Sequence, residues 1–260
     1  MTTSPEGLVL RDLRVRYVEG PAFVFTLHLI PGQLAAGIGP NGRGKSTLLR
    51  ALIGALPVEG GRMELEGHPL RAFSPRERAR RVGYLPQTTP PDPTLTVAET
   101  VMLGRFPHFP SLWGPGPEDR RKVEQVLRRM GLWSVRDWPL QRFSGGERQW
   151  VELARVLAQD PVLFLLDEAD RHLDYPHRHA FLDLLREECR TFQRMVLWIT
   201  HDLHGVARSA DVLWTFSRDR GVQGPFPPET LEDASFLHDL FPQPFPLHGS
   251  TSHAERAVSG

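Results

Sequence analysis

Eight consecutive residues, Gly39-Pro40-Asn41-Gly42-Arg43-Gly44-Lys45-Ser46, carry the densest chemistry in the chain. A glycine, four further residues, then glycine, lysine and a hydroxyl residue is the spacing of a loop that cradles phosphate. Its glycines let backbone N–H groups turn toward phosphate oxygens, and a helix starting near Gly44 would add the positive end of its dipole. Lys45 can then reach the β- and γ-phosphates of a nucleotide, and the Ser46 hydroxyl can ligate Mg2+. Much further on, the apolar run Val162–Leu166 ends in Asp167-Glu168. Asp167 is placed to hold Mg2+ through water, and Glu168 to orient and polarise an attacking water. Each feature has a plainer reading, a glycine-rich turn joining strand to helix and an acidic strand terminus. Matching elements on both sides of the loop favour phosphate binding, and the loop in turn favours the functional reading of the acidic pair.

These side chains need elements to hold them. Gln33–Ile38 is a short apolar strand running into the loop, and Leu48, Leu49, Leu52, Ile53 and Leu56 predict a helix after it. Pro57 and Gly60-Gly61 end that helix. Ser74-Pro75-Arg76-Glu77 starts another, with serine as cap and proline first, and Val82–Leu85 reads as strand. Composition shifts at Pro86. A loop over Thr88–Pro93 leads to a capping box at Thr96-Val97-Ala98-Glu99. A second loop, Phe106–Pro117, precedes an amphipathic helix with Val123, Val126, Leu127 and Met130 on one face and Gly131 past its end. Pro86 to about Asp160 therefore reads as a helical insertion between strand-bearing parts. Val162–Leu166 has the unbroken apolar character of a strand buried in a parallel sheet. A helix around Arg178–Glu188 and a buried strand over Met195–Thr200 complete a strand–helix–strand unit.

Composition narrows the function classes. The 260 residues carry 31 basic and 31 acidic side chains, a net charge of zero that argues against a general nucleic-acid binder. One cysteine, Cys189, excludes a disulfide framework and a cysteine-built metal site. Pro21–Gly42 lacks charged residues, but His28, Pro31-Gly32 and Gln33 interrupt it, whereas a spanning helix needs about 20 predominantly apolar residues. A soluble, cytosolic chain is expected.

Phe143-Ser144-Gly145-Gly146-Glu147-Arg148-Gln149 narrows the reading to a family. Ser144 and Glu147 form a capping box, Trp150, Leu153, Ala154 and Leu157 line one helix face, and the paired glycines let phosphate approach the helix start. The heptapeptide resembles the signature motif of ATP-binding-cassette (ABC) ATPases and precedes Asp167-Glu168 as in that family. The resemblance implies that Ser144, Gly145, Gly146 and Glu147 close on ATP held by a second copy of the chain, head to tail. Gln87, after Tyr84-Leu85-Pro86, resembles the glutamine that links Mg2+ and water to the membrane partner. Leu173-Asp174 resembles the segment that crosses to the other subunit, His201 the histidine on the γ-phosphate, and Tyr17 the aromatic that stacks on adenine. Over roughly residues 7–240, the resemblance implies an α/β fold of the P-loop NTPase class. Its mixed nucleotide-binding sheet core would carry a helical subdomain, within a single domain over residues 1–249 followed by a disordered tail over 250–260.

The implied activity is Mg2+-dependent ATP hydrolysis. Glu168, His201, Gln87 and Lys45 would be catalytic, Ser46, Gln87 and Asp167 would hold the metal, and Gly39, Pro40, Asn41, Gly42, Arg43, Gly44, Lys45, Ser46 and Thr47 would bind the nucleotide with Tyr17 and the signature. Phe73–Arg80 and Val97–His108 resemble importers of the iron-siderophore, haem and cobalamin type. A separate permease, and indirectly a solute-binding protein, are then implied partners, with the chain peripheral on the cytoplasmic side of the inner membrane. Alternatives are an importer ATPase for another substrate class, a soluble cassette ATPase such as a cluster-assembly scaffold ATPase, and a nucleotide-binding regulator that does not hydrolyse. The interval from Lys45 to Ser144 is too short for the coiled coil of repair-type members, and a single cassette is unlike the fused translation type.

Several residues depart from the family pattern. Ala169-Asp170 stands where Pro-Thr or Pro-Ser is usual, so Asp170 would repel a triphosphate unless paired, with Arg171 the adjacent candidate, or turned away. Trp150 replaces a common arginine, and the irregular chain after Val212–Phe216 puts the usual hairpin in doubt. His172, His177, His179, His201 and His204 read as a polar loop and helix start rather than a metal cluster. Arg76–Arg81 reads as a solvated helix face, and Trp113 as a loop tryptophan near the partner.

Overall fold

A computed structural model describes residues 7–16, 20–87, 92, 94–109, 114–171, 173–217 and 221–241. Tyr17, His172, Trp113 and the 250–260 tail lie outside these. The chain opens with β1 (Leu8–Arg16), β2 (Ala22–Leu29), β3 (Leu34–Ile38), α1 (Lys45–Leu52), β4 (Val58–Leu65) and the short β5 (His68–Pro69). There follow α2 (Pro75–Arg81), β6 (Val82–Leu85), α3 (Val97–Leu103), α4 (Pro117–Arg129), α5 (Gly145–Gln159) and β7 (Leu163–Asp167). Last come α6 (Tyr175–Phe192), β8 (Met195–Ile199), α7 (Leu203–Ser209), β9 (Val212–Ser217), β10 (Gly221–Phe226) and α8 (Ala234–Leu240).

Two sheets form. One is antiparallel, in the order β2-β1-β4-β5; the other has six strands in the order β10-β9-β3-β8-β7-β6. Its pairs from β6 to β9 are parallel and β10 is antiparallel to β9, so the fold is α/β with a mixed sheet. The hairpin that the irregular sequence put in doubt is therefore present, with Gly221 opposite Ser217. Successive residues of a strand face opposite sides, and the central strands serve two cores accordingly. Leu163, Leu165, Leu197, Ile199 and Phe216 pack with α1 and the antiparallel sheet. Phe164, Leu166, Val196, Trp198 and Leu213 pack with α3, α4, α5 and α6.

Local sequence sets most helix boundaries. Ser74, Thr96 and Ser144 cap α2, α3 and α5 through reciprocal capping boxes with Glu77, Glu99 and Glu147. The helix expected from Arg178 begins earlier, at Tyr175, because the Asp174 carboxylate accepts from His177 N and Pro176 favours the first turn. The first helix stops at Leu52, and Ile53 and Leu56 reach the core from the turn beyond it. On α5 the buried surface is broader than the expected stripe, taking in Val151, Val156 and Ala158 besides Leu153, Ala154 and Leu157. Trp150 is only half-buried, and its indole donates to the Met130 carbonyl at 3.1 Å.

A buried ion pair fastens three of these helices. Arg105, just past α3, and Asp119 on α4 have side chains 8% and 5% exposed, and Nε donates to Oδ1 at 3.0 Å. Arg105 Nη1 also donates to the Ala158 carbonyl near the end of α5 at 2.9 Å, while Asp119 Oδ2 accepts from Gly116 N at 2.9 Å.

Candidate nucleotide site

Strand β3 delivers the chain into Gly39 and α1 takes it up at Lys45. Two glycines make the loop between them possible. Gly39 has φ +149° and a Cβ there would lie 2.2 Å from the Phe216 carbonyl oxygen on neighbouring β9. Gly44 has φ +84° and a Cβ would meet the Phe23 ring at 2.8 Å. Both spaces are taken by the protein itself, so an L side chain fits neither. Lys45 folds back across the loop, its ammonium donating to the Gly39 carbonyl at 2.6 Å and the Pro40 carbonyl at 2.8 Å. Burial pushes its pKa down, against the opposing pull of Glu168 and Asp167.

The acidic end of β7 faces this loop. Asp167 is buried, which raises its pKa, and a hydrogen bond with Ser46 opposes the rise. The Tyr84 hydroxyl donates to Asp167 Oδ2 at 3.5 Å, and burial pushes Tyr84 up to about 12. Glu168 adopts φ +49°, a left-handed conformation rare for a non-glycine residue, secured by its N–H donating to the Ile199 carbonyl at 2.8 Å. Three side chains gather on its carboxylate. Gln87 Nε2 donates to Oε2 at 2.7 Å, Arg171 Nη1 to the same oxygen at 3.3 Å, and His201 Nε2 lies 3.2 Å from Oε1.

Asp170 does not join them. Its buried carboxylate accepts from the Trp198 indole at 2.9 Å and from the Thr200 hydroxyl at 3.1 and 2.9 Å. The candidate partner Arg171 is thus replaced by two uncharged donors on β8 and the turn beyond it, while Arg171 serves Glu168. Burial raises the Asp170 pKa and both bonds act against it.

A cavity of about 780 Å3 opens over the loop, lined by Asn41 to Thr47, Gln87, Glu168, Asp170, Arg171, Arg178, Thr200, His201 and Asp202. Of the residues singled out from sequence, Asn41, Gly42, Arg43, Gly44, Lys45, Ser46, Thr47, Gln87, Glu168 and His201 meet here; Gly39, Pro40 and Asp167 stand outside that lining. Ser144, Gly145 and Glu147 are exposed and Gly146 half-buried at the start of α5, away from this cavity. Sequence reasoning missed Arg178 and Thr200 as cavity residues. Thr200 carried a signal in preceding His201, whereas Arg178, in the first turn of α6, belongs to no motif that marks it. The donors suit a nucleotide with a hard cation. A hydroxyl, a carboxylate and an amide offer oxygen ligands of the kind Mg2+ takes, and Gly42, with nothing within 4 Å of its would-be Cβ, leaves the cradle open.

Residues 24–171 match the family model of the ABC transporter, and the chain belongs to that family. The hemin import ATP-binding protein HmuV of Pseudomonas putida is 40% identical over 202 residues, 75% of this chain and 76% of that protein. The ferric enterobactin transport ATP-binding protein FepC of Escherichia coli is 38% identical over 190 residues, 72% of this chain and 69% of its own length. The solved ATP-binding subunit of an ABC transporter superposes with a TM-score of 0.68 at 26% identity, covering 80% of this chain and 85% of its own. An ATP-binding cassette of an ABC transporter, solved in its ADP conformation, shares the fold with a TM-score of 0.77 at 24% identity, over 90% of this chain and 98% of that one.

Proposed function

We propose that this chain binds and hydrolyses ATP as the ATPase subunit of an ABC importer, powering uptake of an iron chelate, haem or cobalamin through a separate permease. The observation that carries hydrolysis is the meeting of Gln87 and His201 on the Glu168 carboxylate at the mouth of the phosphate loop. The import ATP-binding names of the relatives support the cargo class. Among the described residues no helix is long and apolar enough to cross a membrane, which fits a permease on another chain.

Phosphoryl transfer is dominated by positioning and charge stabilisation. Lys45 and the loop amides hold the triphosphate, with Lys45 exchanging its two carbonyl partners for phosphate oxygens. Ser46, Asp167 and Gln87 would hold Mg2+, which when bound neutralises charge on the β- and γ-phosphates. Glu168 accepts a hydrogen bond from the attacking water and His201 holds the γ-phosphate. Ser144, Gly145, Gly146 and Glu147, at the start of α5 and outside this cavity, would complete the site of a second copy, so that two chains form two sites head to tail. The chain would then sit peripherally at the cytoplasmic face of the inner membrane, and a solute-binding protein would deliver cargo.

The test is Glu168→Gln. It keeps the shape and one acceptor oxygen and removes the charge, so Mg2+-ATP binding should persist while turnover falls by about 100-fold or more. Hydrolysis at the wild-type rate would sink the assignment.

A further inference from the structure

The Glu168-bearing and His201-bearing turns leave the adjacent parallel strands β7 and β8, where Asp167 pairs with Ile199. Asp170 bridges them. One carboxylate oxygen accepts from Trp198 and both lie within reach of the Thr200 hydroxyl. Thr200 Oγ1 itself accepts from the Asp202 backbone N–H at 2.9 Å. A hydroxyl has a single proton, and with Asp202 donating to the oxygen, that proton is directed to Asp170. The residues before and after His201 are thereby tied into one network rooted in the loop that follows Glu168. Thr200 and Trp198 are wholly buried and Asp170 is 4% exposed, so water offers little competition for these bonds.

Resting on the hydrolytic reading above, we infer that Asp170 is a positioning residue for His201. Acting through Thr200, it sets where the imidazole meets the Glu168 carboxylate and the γ-phosphate. Although Asp170 borders the cavity, its oxygens are directed to Trp198 and Thr200, so it acts without touching the nucleotide. Both partners are needed: Trp198 anchors the carboxylate from within the sheet, and Thr200 passes that position to the turn.

The test compares steady-state turnover and nucleotide affinity for the full chain as wild type, Asp170→Ala, Asp170→Asn, His201→Ala, Asp170→Ala/His201→Ala and Glu168→Gln, using Mg2+-ATP. Loss of geometry at the γ-phosphate should lower kcat about tenfold or more in Asp170→Ala, with KM and nucleotide affinity held to within about twofold. Asp170→Asn should recover most of the rate, since an amide oxygen still accepts from Trp198 and the amide still pairs with Thr200. In the His201→Ala background, Asp170→Ala should add little further loss, because the residue it positions is gone. If Asp170→Ala does not fold, Thr200→Val cuts only the link to the turn and should show the same pattern. A full additional loss in the His201→Ala background, a rise in KM without a fall in kcat, or Asp170→Asn as impaired as Asp170→Ala would overturn the inference. Should His201→Ala turn over normally while Glu168→Gln is inactive, this inference fails and the hydrolytic reading stands. Undiminished turnover by Glu168→Gln overturns both.

Discussion

Replacing Arg105 with methionine should be among the most damaging single changes away from the nucleotide site. The substitution keeps the apolar stem and deletes the guanidinium. Asp119 then keeps its bond from Gly116 N but loses its charge partner at 5% exposure, and the Ala158 carbonyl loses its donor. Breaking a buried pair by removing one partner costs about 3–5 kcal/mol, because a charge is left buried without compensation. At roughly 2–4 °C per kcal/mol for a chain of this size, the melting temperature should fall by about 6–20 °C. The double variant Arg105→Met/Asp119→Leu removes both charges and should recover much of that loss, since a matched apolar pair is often as stable as the ion pair. Its remaining deficit should be about 1 kcal/mol from the lost cap at Gly116 N. Thermal melts followed by circular dichroism at fixed pH and salt give all three values. A single variant melting within a degree or two of wild type, or a double variant no more stable than the single one, would refute this account of the pair.

Other consequences follow from single residues. Gly39→Ala places a methyl group 2.2 Å from the Phe216 carbonyl oxygen at φ +149°, so β9 must move. A loss of about 1–3 kcal/mol, together with loss of the melting-temperature rise that ATP gives wild type, is expected; an unchanged ATP-induced shift would contradict it. Burial pushes the Cys189 thiol up to about 12. At pH 8 the native chain should resist a thiol reagent that labels it fully in denaturant. The fold favours the neutral thiol, so this stabilisation is complete below the ordinary pKa of about 8.5 and is lost progressively as pH rises toward about 12. Rapid stoichiometric labelling of the native chain would count against that burial.

What could be read in advance was what the chain settles locally. The capping boxes at Thr96 and Ser144 and the serine cap at Ser74 each lie within four residues, and the structure has all three, with Glu77 completing a box at Ser74 as well. The apolar run ending at Asp167 announced a strand buried on both faces, because no alternation is needed there. Division of the strands into two sheets left no such trace, since β1 pairs with β4 across the whole phosphate loop. The β9–β10 pairing stood in doubt for want of an Asn-Gly or Asp-Gly pair between its strands. At the site, Glu168 and its phosphate loop were legible as chemistry. Gln87 and His201 entered the site only by family resemblance, and their contact with Glu168 had no sequence trace because it joins separate strand ends. Asp170 was seen as a departure, but its destination depended on Trp198, 28 residues away on a neighbouring strand, and no spacing rule reaches that far.

The left-handed backbone at Glu168 sets the fold against the reaction it is proposed to support. Holding a residue with a Cβ at φ +49° costs about 1 kcal/mol, and a glycine there would feel none of it. Selection for robustness alone would therefore drift away from glutamate at this position, and only a demand for turnover would hold it. A stability-screened variant of this chain is accordingly at risk of becoming sturdier and inert at the same residue. The conformation also filters replacements: β-branched side chains are the least tolerated in this region of backbone space, whereas glutamine, identical in shape to glutamate, inherits the same pose at the same cost.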